Sequence, residues 1–152
     1  MSEKNAGIIA ELIVSYWMEM ETVQNYLANS QNLDGVRAEE IKKALALDVP
    51  VELGHATQLA GRIRVLGGQV PGSLRFKAVQ AALQPPQDST DVVAVIKGVI
   101  EAENGAITQY NKLIKLCDGV DYATQDLCVQ LLSNEEDHRR EFVGFLREYE
   151  KK

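Results

Sequence analysis

The chain has 152 residues, 45% hydrophobic and 25% charged, which fits one globular domain over 1–152 with its own core, not a disordered chain. A net charge of −6 and a pI near 5.0 argue against a nucleic-acid partner and favour cations. No apolar run approaches the ~18 residues of a membrane span and no charged leader precedes an apolar stretch, so a cytoplasmic protein without membrane contact is expected.

Four long segments carry helical periodicity, and no strand-like run competes with them. The first, over 5–30, has a stripe through Ile9, Leu12, Tyr16, Glu19, Val23 and Tyr26, and ends in the turn Gln31-Asn32-Leu33-Asp34-Gly35. The second, over 36–66, places Ile41, Leu45, Asp48, Glu52, His55, Leu59 and Ile63 on one face. Pro50 lies inside it and removes one backbone donor, which predicts a kink or bulge there, not a break. Gly67-Gly68 stops this segment.

A long connection follows, whose middle, 73–83, is expected to form a short helix closed by Gln84-Pro85-Pro86. The third helix spans 88–118, opening among the capping candidates Asp88, Ser89, Thr90 and Asp91. Its inward face reads Ile96, Ile100, Glu103, Ile107, Tyr110 and Ile114. Asp118-Gly119 turns the chain into the fourth helix, 121–150, with Leu131, Glu135, His138, Phe142, Phe145 and Tyr149 facing in. Short turn, long link, short turn describes an all-α antiparallel four-helix bundle built from two hairpins.

Both histidines of the chain sit three residues after a glutamate, in Glu52-Leu53-Gly54-His55 and Glu135-Glu136-Asp137-His138. That spacing puts carboxylate and imidazole on one helix face, a turn apart, where both reach one metal ion. Glu19 and Glu103 interrupt the apolar stripes of the other two helices, and a core carboxylate is costly unless paired or metal-bound. In an antiparallel hairpin, residues equidistant from the turn lie level. The midpoint of Glu19 and Glu52 falls beside Gly35, and that of Glu103 and Glu135 at Gly119. Each lone glutamate therefore lies level with the first residue of its partner motif.

The halves also repeat, with Tyr26 and Tyr110 each two helical turns after their glutamate. Four carboxylates and two imidazoles at one level suit two metal ions held ~3.5–4 Å apart. The rival arrangement, four buried glutamates satisfied by two histidines, lacks cations, because neither Arg62 nor Lys97 lies at that level. Mixed carboxylate and imidazole ligation suits iron or manganese better than structural zinc.

One glutamate from each of two helices plus a Glu-x-x-His from each of the others resembles the ferritin-like family, bacterioferritins in particular. The resemblance covers all four helices. It implies that Glu19 and Glu103 are terminal ligands, that Glu52 and Glu135 bridge, and that His55 and His138 each complete one of two iron sites. It implies Tyr26 and Tyr110 beside the site, although core aromatics read equally well there.

Leu53 stands where bacterioferritins carry a haem-ligating methionine, so haem is not expected. Val51 and Asn134 stand where they usually have aspartates. No fifth C-terminal helix is expected, and a rubrerythrin-like peroxidase is disfavoured because there is no rubredoxin-type cysteine module and Ala106 replaces the extra glutamate.

The function expected first is a ferroxidase and iron-storage centre, an oxidoreductase using dioxygen or peroxide at Glu19, Glu52, His55, Glu103, Glu135 and His138. Asp48, one turn before Glu52, is a candidate guide for incoming iron and reads equally well as a solvated inner-surface charge. A di-manganese catalase or another di-metal oxidase or oxygenase would use the same ligand cage. A metal-sequestering oligomer without turnover is the non-enzymatic alternative. Ile13, Val14, Trp17 and Leu27 fall off the inward stripe of the first helix, which suggests a homo-oligomer, a dimer at least and a cage at most. Cys117 and Cys128 are offset by roughly 10 Å at ~1.5 Å per residue and are expected to be free thiols.

Overall fold

A computed structural model describes residues 3–151, so the ends of the expected domain, 1–2 and 152, lie outside the described residues. Four helices carry the fold: α1 (Glu3–Asn32), α2 (Glu39–Val65), α3 (Val92–Cys117) and α4 (Tyr122–Tyr149). α1 pairs with α2 and α3 with α4, and the two hairpins pack against each other through α1 and α3. Gly35 and Gly119 take φ of +92° and +65° at the two hairpin turns, a backbone region that costs glycine nothing and L-residues a steric clash.

The N-caps of α3 and α4 are aspartates: Asp91 accepts from the Ala94 backbone N–H and Asp121 from that of Thr124, each at 3.0 Å. α3 thus starts a turn later than 88, because Asp88 is already engaged with Thr90. Asp121 also pairs with Arg62 at 2.8 Å, tying the last turn of α2 to the first of α4. α2 runs unbroken through Pro50.

The core is divided by the level of the four glutamates. One apolar cluster lies toward the α1–α2 turn and includes Tyr26, Leu33, Ile41, Leu45, Ile96, Val99 and Phe142. The other lies toward the α3–α4 turn, with Ile8, Leu12, Leu59, Ile63, Tyr110, Leu113 and Leu131. Cys117 and Cys128 are buried free thiols in this second cluster, and burial pushes the Cys128 thiol up to about 12.

The connection between hairpins corrects the expected short helix over 73–83. It contains two single 3-10 turns, Ser73–Arg75 and Ala81–Leu83, with 76–80 outside any helix. A helix would consume its backbone N–H groups internally. Here those of Val79 and Gln80 donate instead to the buried Glu21 carboxylate, at 2.9 to 3.1 Å. Gln80 also donates to Thr22 at 2.7 Å and accepts from Asn25 at 3.0 Å, while Asn29 donates to the Leu83 carbonyl at 2.8 Å. A second polar face of α1 is thereby sealed by the connection.

The connection also shrinks the apolar patch expected on α1. Trp17 is half-buried and meets Phe76 edge-to-face, ring centroids 6.5 Å apart. Ile13 packs against the second core cluster. Val14 and Leu27 remain exposed.

Candidate metal centre

Glu19 on α1, Glu52 and His55 on α2, Glu103 on α3 and Glu135 on α4 are all buried, and His138 on α4 nearly so. The helical stripes predict this inward placement, and the hairpin arithmetic predicts the common level. Their ligand atoms fall into two overlapping groups, Glu19–Glu52–His55–Glu135 and Glu52–Glu103–Glu135–His138. In each group one atom per residue lies within 4.8 Å of the others. Glu52 and Glu135 belong to both, which is the arrangement two bridging carboxylates require.

Both histidines aim Nδ1 inward. His55 Nδ1 lies 2.8 Å from Glu135, 3.3 Å from Glu52 and 3.7 Å from Glu19. His138 Nδ1 lies 2.9 Å from Glu52, 3.4 Å from Glu135 and 3.8 Å from Glu103. The rings stand nearly parallel with centroids 6.2 Å apart. The tyrosines cross between hairpins: Tyr26 OH donates to Glu103 Oε1, and Tyr110 OH to Glu19 Oε1. Their role as core aromatics and their role as carboxylate partners therefore coincide.

The outer nitrogens face unlike neighbours. His55 Nε2 lies 3.3 Å from the Asn134 amide, and His138 Nε2 lies 3.9 Å from Asp48 Oδ1. Spacing places Asp48 on this face, but the contact of Asn134 with a histidine of another helix carries no periodic signal. Arg62 and Lys97 pair with Asp121 and Glu150, away from the cluster.

Four glutamates and two imidazoles cannot all be charged together in a core. Burial, with the Glu135 carboxylate beside each, holds Glu19 and Glu103 well above the usual carboxylate range. Burial works the same way on Glu52 and Glu135, but the close-facing His138 and His55 imidazoles outweigh it and hold both below that range. For the histidines burial opposes the charged form, yet the facing carboxylates prevail. They lift His55 to about 12 and His138 to about 10. Burial raises Asp48 to about 6 against the pull of His138.

Protons therefore stand where cations would fit. Even so, both oxygens of Glu52, both of Glu135 and the Nδ1 atoms of both histidines are buried without a hydrogen bond of acceptable geometry. Unmade hydrogen bonds in a core are expensive. Six such atoms converging on one volume, all of them metal-ligand types, fit a pair of divalent ions; a hydrogen-bonded network does not account for them.

Residues 15–151 match the family described as the ferritin-like domain. The chain is 28% identical over 138 residues to a DNA protection during starvation protein of Pyrococcus furiosus, covering 89% of this chain and 74% of that protein. It is 24% identical over 137 residues to a bacterioferritin of Desulfovibrio desulfuricans, covering 90% and 72%. A solved ferritin-like, diiron-carboxylate protein from Bacillus anthracis superposes with a TM-score of 0.84 at 20% identity, over 96% of this chain and 99% of that one.

Proposed function

The chain belongs to the ferritin-like domain family, and on that premise we propose that it is a ferroxidase whose substrate is Fe(II), oxidised at a dinuclear centre in the bundle. The observation that carries this reading is the convergence of six orphaned ligand atoms from Glu52, Glu135, His55 and His138, flanked by Glu19 and Glu103. Glu52 and Glu135, shared by both ligand groups, would bridge the ions. Glu19 with His55 and Glu103 with His138 would complete one position each.

Two Fe(II) ions give up one electron apiece. With dioxygen as oxidant, two electrons and two protons yield hydrogen peroxide, and with peroxide they yield two waters. Tyr110 fixes one oxygen of Glu19, leaving Oε2 turned to the cluster; Tyr26 holds Glu103 in the pseudo-equivalent place. Four protons on the histidines and terminal glutamates leave as the ions enter.

The relative named for DNA protection accords with this chemistry. Removing Fe(II) together with peroxide spares DNA without contact, and a net charge of −6 offers phosphates no electrostatic gain. Among the described residues no helix is long and apolar enough to cross a membrane. Val14 and Leu27 on α1 and Leu47, Val51 and Leu53 on α2 are large apolar side chains left exposed, and on them we read the chain as a homo-oligomer, testable by its molar mass in solution.

The function is tested by metal analysis after purification and aerobic Fe(II) titration with an oxygen electrode. Iron content and rapid oxygen uptake support the ferroxidase. Manganese with peroxide disproportionation would replace it by a catalase, and stoichiometric binding without turnover by sequestration.

A further inference from the structure

The two halves of the centre are matched in nearly everything. Each position draws on the same two shared carboxylates, one terminal glutamate, one histidine presenting Nδ1 and one tyrosine donating to the terminal glutamate. They differ at the outer nitrogen of the histidine. A histidine that binds metal through Nδ1 carries its proton on Nε2 and must donate it outward. At His138 the facing atom is a carboxylate oxygen, Asp48 Oδ1 at 3.9 Å, an ion-pair distance longer than a hydrogen bond, with Asp48 Oδ2 buried and without a partner. At His55 it is the neutral amide of Asn134, whose Nδ2 stands 3.3 Å away; with metal on Nδ1 the amide must turn over and present Oδ1 to accept the Nε2 proton.

A carboxylate behind an imidazole makes it a stronger donor to a metal and adds one negative charge to that half, and an amide does neither. The halves also differ in access: the His138 side chain is 12% exposed and that of His55 is 3%. From this geometry we propose that the two metal positions are inequivalent, the His138 position filling first and more tightly, with Asp48 as its positioning residue and Asn134 the residue that keeps the His55 position weaker.

This inference rests on the dinuclear reading, and its test must separate the two. Anaerobic titration of the full chain with Co(II), followed by calorimetry and visible absorption, reads binding without any turnover. Repulsion between the ions alone produces stepwise filling, so the identity of the first site is what must be read. Expected is that His138→Gln removes the tight step while His55→Gln retains it. Asp48→Asn should weaken the first step by about 10- to 100-fold and leave the second nearly unchanged.

Asn134→Asp should strengthen the second step and draw the two together, a gain that a misfolded variant cannot imitate. Equal losses of the tight step in both histidine variants would overturn the inference and leave the dinuclear centre standing. So would an unchanged first step in Asp48→Asn, or an unchanged second step in Asn134→Asp. A wild-type chain that binds no Co(II) would overturn both.

Discussion

Two buried polar regions lie a few residues apart on α1, and they behave in opposite ways. Glu21 and its neighbours Thr22, Asn25 and Asn29 face the connection between the hairpins, where hydrogen bonds to Val79, Gln80 and Leu83 engage the carboxylate, the hydroxyl and the amides. Among the described residues only Asn29 Oδ1 is left without a partner there. Glu19, two residues earlier, joins a cluster in which Glu52, Glu135 and both histidines hold orphaned atoms. A carboxylate that the chain itself satisfies is architecture. One that the chain brings to a core and leaves unsatisfied marks a place for something else.

The contrast is broken most decisively at Glu52. Glu52→Ala should abolish iron-dependent oxygen consumption, whereas Glu21→Ala should leave it intact; loss in both would merge the two regions into one, and the reverse pattern would overturn the contrast. Metal should separate them next. At a hundredfold excess over Kd, a bound divalent ion adds about 2.7 kcal/mol of stability. Denaturant unfolding should show that gain in the wild type and in Glu21→Ala, and not in Glu52→Ala.

Glu21→Ala should itself cost about 2–3 kcal/mol in the metal-free chain, because two backbone N–H groups lose a charged acceptor. A loss under ~0.5 kcal/mol would mean that the connection is not held by this seam.

Acidity sharpens the contrast further. Metal-free, His55 and His138 keep their protons up to about 12 and 10, and Glu19 and Glu103 are raised well above the usual range. Ions must displace those protons, so affinity rises with pH, about tenfold per unit for each proton released. Titrations from pH 6 to 8 should show this slope together with proton release into the buffer, and a flat profile would contradict the protonated metal-free state. The smallest effect belongs to the tyrosines. Tyr26→Phe should cost about 1 kcal/mol of stability and weaken metal binding modestly, as competition against a chelating dye would register.

The sequence carries the four helices and all six candidate ligands because both are periodic signals. Glu19, Glu52, Glu103 and Glu135 stand out by interrupting apolar stripes, and Gly35 and Gly119 fix their common level. The polar seam is not legible in that way. Glu21, Thr22, Asn25 and Asn29 fall on a face of α1 that reads as solvated until a distant segment covers it. The sequence does hold a faint trace, small polar residues recurring at helical spacing opposite Gln80. Where the connection lands is equally invisible to periodicity, and it decides both that 76–80 lie outside any helix and that Trp17 is half-buried against Phe76. Asn134 stands out only through the resemblance, and its contact with His55 is not legible because that histidine lies on another helix.

The central claim is that two ions sit side by side within the ligand set of Glu19, Glu52, His55, Glu103, Glu135 and His138. Anomalous diffraction from Fe(II)-loaded crystals tests it most directly. Two peaks ~3.5–4 Å apart, one beside Glu19 and His55 and the other beside Glu103 and His138, are the predicted result. A single peak, or none between the four helices, would contradict it.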